Sequence, residues 1–299
     1  MNAFRSMAGA TMLALAVASA AWGAADPAAE FAQRFTAVSA TVLKAGTSFS
    51  FSKVYTELEA IEQLSQRFGA DSPERARVLE LMSLVRFKHA DYAETMQLGE
   101  ACLALKSVDA LAPADRMLLI YRIAESARHL DRPQPAAQHY RSALAFDEAA
   151  QHTLLDDSQR LSIRQKLGYV LHEDKRYAEA LAMNRATISD AERLFGADDD
   201  RVVYVHVNLA QNYYELGRPD EAQAALRRAL ALAQHANKYE VTDECLFQLG
   251  VLAFERGDIK GARDWVEQRR RSAANARDPA LWERAEQGAA EMERRIGQR

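Results

Sequence analysis

Apolar side chains recur along most of the chain in steps of three and four, the period that lines one stripe of an α-helix. The pattern is clearest between Leu194 and Leu230. Val203, Val207, Leu209, Ala210 and Tyr213 predict one helix; Ala222, Ala225, Leu226, Ala229 and Leu230 predict a second. Between them, Gly217 supplies the left-handed residue that ends a helix, and Pro219 suits the first turn of the next. Small Ala210 and Ala222 let the two backbones approach closely. One such hairpin cannot cover its own apolar stripe, so the pattern predicts similar hairpins stacked beside it.

The same arrangement returns along the chain. The small residues Ser83, Ala124, Gly168, Ala210 and Gly250 occupy equivalent places, about 40–44 residues apart. Phe68-Gly69-Ala70-Asp71 and Phe195-Gly196-Ala197-Asp198 are two copies of one lead-in, roughly three such periods apart, and predict three hairpins between them. The expected repeats span 73–110, 113–155, 157–196, 199–238 and 240–275 within a superhelix over 70–276. Residues 26–69 carry two stripes, Phe31 to Leu43 and Tyr55 to Phe68, without the small residues; they read as a degenerate first repeat or N-terminal cap. Gly46-Thr47-Ser48 breaks that pair, and Ser52 is placed to cap its second helix. In 277–299, Leu281, Trp282, Ala285, Ala289, Met292 and Ile296 form a last stripe whose opposite face is charged, as a C-terminal capping helix requires.

Leu209, Ala210, Tyr213, Gly217, Ala222, Leu226 and Ala229 resemble the signature of the tetratricopeptide repeat. The Phe195-Gly196-Ala197-Asp198 lead-in is similar to the longer repeats of kinesin light chains, about 42 residues against about 34 for the common form. The resemblance implies an all-α, right-handed α-solenoid of stacked helix-turn-helix hairpins. It further implies a concave groove, lined by the first helix of each hairpin, in which a protein or peptide segment lies. Carried over by register, the groove presents Arg122 and Glu125 from one unit and Lys166, Tyr169 and His172 from the next. Then come Tyr204, Asn208, Gln211 and Tyr214, followed by Gln248 and Phe254. Asn208 directly precedes Leu209-Ala210, where the kinesin-light-chain type carries an asparagine that grips peptide backbone. Its amide both donates and accepts. The other units depart from this: Leu81, Arg122, Lys166 and Gln248 stand at the equivalent place.

Composition agrees with a helical chain. Of 299 residues, 48% are hydrophobic and 27% charged, with only 7 prolines and 13 glycines. A net charge of −4 gives no reason to expect nucleic acid as partner. The first residues form a separate segment. Arg5 precedes an apolar run, Met12 to Ala21, followed by small residues. This predicts a secretory signal over 1–25, cleaved near Ala20 or Ala25, with no stable membrane insertion afterwards. The expected location is therefore periplasmic or secreted, with a Gram-negative cell inferred. Cys102 and Cys245 fall in units far apart, so the repeat register predicts two buried thiols and no disulfide.

Catalytic patterns are missing from the sequence. The seven histidines are scattered, and no pair has the spacing of a helical zinc site. No phosphate-cradling glycine loop or nucleophile elbow is present. The Arg269-Arg270-Arg271 run reads as a solvated helix end. The sequence thus predicts a non-enzymatic scaffold without metal or cofactor, binding a protein or peptide segment. The alternative is a ligand- or peptide-sensing regulator of an envelope or secretion process.

Overall fold

The computed structural model describes residues 26–44 and 49–298. The leader over 1–25, its cleavage sites and the Gly46-Thr47-Ser48 break lie outside the described residues. Among the described residues there are thirteen α-helices and no strand. In order they are α1 (Pro27–Lys44), α2 (Phe51–Ser65), α3 (Pro73–Lys88), α4 (Tyr92–Leu103), α5 (Pro113–His129) and α6 (Pro133–Ala149). There follow α7 (Asp157–Glu173), α8 (Tyr177–Phe195), α9 (Val203–Glu215), α10 (Pro219–His235), α11 (Tyr239–Glu255), α12 (Ile259–Ala276) and α13 (Pro279–Gly297). Three hairpins lie between the two Phe-Gly-Ala-Asp segments.

Local chemistry sets the hairpin ends. Ser72 Oγ accepts from the Arg75 amide in front of Pro73, and Asp156 with Gln159 forms a reciprocal capping box. The turns inside the five central hairpins share one geometry. A residue of positive φ follows the first helix: Ala90, Asp131, Lys175, Gly217 and Gly257, at 54–78°. The next amide then reaches back to the helix, as in Arg132 N to Ala127 O and Arg218 N to Tyr213 O. Gly217 behaves as its sequence implies. Ala90, Asp131 and Lys175 adopt the left-handed conformation at a cost of roughly 1–2 kcal/mol each, offset by the closed turn.

Two local expectations need correction. Helix α2 starts at Phe51 with Ser50 as its N-cap, ahead of Ser52. The Phe51 ring stacks on Tyr55 and lies 4.0 Å from the His89 ring, which draws that residue into the first turn. The Arg269-Arg270-Arg271 run is not a solvated helix end, because α12 continues to Ala276. Arg269 is buried and holds Asp243 through two hydrogen bonds, of 2.6 and 2.9 Å. Arg270 pairs with Glu286 across to α13 and Arg271 with Glu267 on its own helix.

The chain divides into two compact units, the first ending at Leu154 and the second starting at Leu155. In the first, α1–α2, α3–α4 and α5–α6 pack as antiparallel pairs, and Val42, Leu58, Ile61, Val78, Leu81 and Val85 form a core shared by α1, α2 and α3. In the second, α7–α8, α9–α10 and α11–α12 do the same, and α13 covers the last pair. Leu209, Ala210, Leu226, Ala229, Leu246 and Leu249 lie in that core. A fully buried Leu contributes about 1.5–3 kcal/mol, and each hairpin supplies several only when its neighbour covers them. Each unit is therefore a stacked-hairpin α-solenoid. Cys102 and Cys245 are free and buried, one in each unit.

Candidate functional site

In the second unit the first helices touch their successors: α7 on α9, α9 on α11, α11 on α13. No pair of second helices among the described residues packs as closely. This part of the stack therefore curves toward its first helices, which form one continuous face. On α9 the positions 204, 208, 211 and 215 follow one another at helical spacing and point away from α10, whose contact is made by Leu209, Ala210 and Tyr213.

The polar side chains of this face divide by what they already hold. Asn212 is fully buried; its amide nitrogen donates to Asn208 O at 2.8 Å. Its carbonyl oxygen then accepts from His172 Nδ1 at 2.9 Å, which fixes the imidazole tautomer and ties α7 to α9. Tyr214 donates its hydroxyl to Glu255 Oε1 at 2.9 Å, tying α9 to α11. Gln248 donates to Glu244 one turn away. Phe254 is half-buried against Ala253, Ala262 and Met292. Asn208 and Gln211 are half-buried with no side-chain hydrogen bond to another described residue. Around them the rings of Tyr169, Tyr204 and Tyr214 are 41, 53 and 45% exposed. Lys166 is half-buried on α7. An open pocket of about 370 Å³ lies at one end of the face, lined by Tyr204, Lys238, Tyr239, Glu240 and Leu281 among others.

The first unit is built differently at the matching positions. Arg122 is buried, donating to the Glu80 carboxylate at 2.9 Å and to Glu80 O at 3.1 Å. Glu125 is buried too, accepting from Tyr140 Oη and from Arg128 Nη2. Burial, and then the adjoining Glu125, pushes the Tyr140 hydroxyl far above the usual phenol range, so it stays a donor. Burial raises the Glu80 carboxyl while Arg122 opposes the shift. Of the expected groove residues, Arg122 and Glu125 are thus buried with internal partners, and His172, Tyr214 and Gln248 hold internal hydrogen bonds as well. Lys166, Tyr169, His172, Tyr204, Asn208, Gln211, Tyr214, Gln248 and Phe254 all belong to the first helices of the second unit. Asn212 was missed by sequence reasoning; its signal is the four-residue step from Asn208, which puts both amides on adjacent turns.

Among the described residues no group of three or more His, Cys, Asp or Glu is placed to hold a metal ion. No described helix is long and apolar enough to cross a membrane.

Residues 159–235 and 207–274 match the family model described as tetratricopeptide repeat. The likeness to tetratricopeptide repeats thus covers 159–274, about two-fifths of the chain. No curated protein matches the sequence. Among solved structures the chain is similar to BtubC (BKLC) from P. vanneervenii, with 21% identity and a TM-score of 0.55 over 78% of this chain and 95% of that one. It is similar to the apo form of RapI, with 11% identity and a TM-score of 0.65 over 87% and 69% of the two chains. It is also similar to a Rap protein complexed with competence and sporulation factor, with 13% identity and a TM-score of 0.50 over 86% and 69%. At these identities the likeness is one of fold. The matched segment runs through α7 to α12, and Tyr169, Tyr204, Tyr214 and Tyr239 lie within it.

Proposed function

We propose that this protein is a non-catalytic scaffold that holds a segment of another protein against the α7–α9–α11 face of its second unit. The observation that carries the reading is the state of Asn208 and Gln211. Their neighbour Asn212 is spent on structure, whereas their own amides are uncommitted and half-buried between exposed tyrosine rings. A side-chain amide both donates and accepts, which suits the alternating N–H and C=O of an extended chain. Tyrosine supplies contact area at low entropic cost and anchors many interfaces. A Rap protein of similar fold is known in complex with competence and sporulation factor, which supports a ligand-holding role for such a stack. The apolar leader supports work outside the cytoplasm, in the periplasm or beyond the cell.

The test is selection from a displayed peptide library on the full chain, followed by affinity measurement with Asn208→Ala/Gln211→Ala. The variant is expected to bind the selected peptides at least tenfold more weakly, with unchanged circular dichroism. Equal affinity for the same peptides would remove this face from the account.

A further inference from the structure

Two first helices of the second unit, α9 and α11, carry acidic side chains without a lysine or arginine. These are Glu215, Glu240, Asp243, Glu244 and Glu255. Asp243 is neutralised by Arg269 within the core. The other four carboxylates are exposed. Their partner helices α10 and α12 carry both signs of charge, with Arg227, Arg263, Arg270 and Arg271 among the cations. The cations on or beside these first helices are largely paired elsewhere: on α7, Arg160 with Asp157 and Arg164 with Asp190; Arg218 after α9 with Glu221; Lys238 before α11 with Asp200; and Arg256 after α11 with Asp220. Glu215 and Glu255 also close their helices, where the free carbonyls add partial negative charge.

The exposed aromatic side chains are concentrated in this unit. Every large aromatic exposed among the described residues belongs to the second unit: Tyr169, Tyr204, Tyr214, Tyr239, Phe247 and Trp282. Two of these rings already take a cation from the chain itself. Lys238 Nζ lies 5.8 Å from the Tyr204 centroid, and the Arg269 guanidinium 4.9 Å from that of Phe247. Ring faces beside carboxylates form a surface for ammonium and guanidinium groups, because the ring quadrupole and the carboxylate attract the same charge.

We propose that the occupant of this face is an extended segment rich in lysine and arginine. Its basic side chains lie between the exposed tyrosines and Glu215, Glu244 and Glu255, and its backbone lies on Asn208 and Gln211. The inference rests on the scaffold reading and adds the chemistry of the partner. Attraction between exposed charges also makes capture fall with ionic strength.

The experiment is fluorescence anisotropy of the full chain with four labelled decapeptide pools: lysine/arginine-rich, aspartate/glutamate-rich, neutral polar and apolar. Each is titrated at low and at physiological salt. The basic pool is expected to bind at least tenfold more tightly than the acidic pool, and more weakly at the higher salt. Glu244→Gln/Glu255→Gln, at exposed positions, is expected to lower basic-pool affinity at least fivefold and by more than it lowers neutral-pool affinity; an equal loss for both pools would overturn the charge reading. If acidic or neutral pools bind as tightly and Asn208→Ala/Gln211→Ala still weakens them, the basic occupant is wrong and the scaffold stands. If no pool binds, both fall. Concentration-dependent self-association that the Gln variant abolishes would make the occupant a basic helix of a second copy and overturn the proposal.

Discussion

His206 shows how one side chain on a repeat helix can set a pH limit. It is 8% exposed on α9, and neither ring nitrogen has a hydrogen-bond partner. Burial, and then the nearby Arg228 charge, pushes its pKa down to about 4. The unfolded chain binds that proton from about pH 6.5 downward, whereas the folded chain resists it until near pH 4. The full contribution is therefore present above about pH 6.5 and is lost as pH falls, by up to ~3 kcal/mol at pH 4. His206→Leu is expected to remove that loss. Urea midpoints of both proteins at pH 7 and pH 4.5 check it, and parallel declines would rule the residue out.

At the scale of the element, packing within one hairpin depends on a glycine. Gly168 on α7 faces Asn184 on α8, and a Cβ added at Gly168 would meet the Asn184 carbonyl oxygen 2.1 Å away. Asn184 is fully buried, and neither its nitrogen nor its oxygen has a partner. Gly168→Ala should favour the helix by up to ~1 kcal/mol, yet overpacking costs about 1–3 kcal/mol. Net destabilisation is expected from the single change. Gly168→Ala/Asn184→Ala removes both the clash and the unpaired amide, so the double variant should exceed Gly168→Ala in denaturation midpoint. Additive midpoints would show that the two side chains do not compete. The sequence marks Gly168 as the small residue of its repeat; the identity of its opponent, on the next helix, came from the packing.

At the scale of the whole molecule the two units use matching positions for different ends. In the first, Arg122 and Glu80 form an internal pair across successive repeats. Arg122→Gln leaves Glu80 without its cation and is expected to cost about 3 kcal/mol or more. Affinity for peptides selected on the full chain should stay within twofold, because the proposed ligand face belongs to the second unit. A tenfold loss of affinity without unfolding would place Arg122 in the ligand site. The burial of Arg122 was not legible in the sequence, where Arg122 and Lys166 share one register position before the small residue of their repeats and Lys166 is half-buried. Arg269 is a further case: three consecutive arginines read alike, yet only the first reaches a buried carboxylate.

The sequence by itself determined the helices, their pairing into hairpins and the repeat. These rest on local rules: a 3.6-residue period, a helix-ending turn, and small residues where backbones meet. Only the tertiary structure decided which polar side chains on the first helices are already spent. Arg122 meets Glu80 from 42 positions away, His172 meets Asn212 from 40, and Tyr214 meets Glu255 from 41. Such partners lie one repeat apart, and no local period can show whether two side chains one repeat apart will reach each other. On α9 the inter-repeat contact to α7 fell to Asn212, and the side chains of Asn208 and Gln211 stay uncommitted.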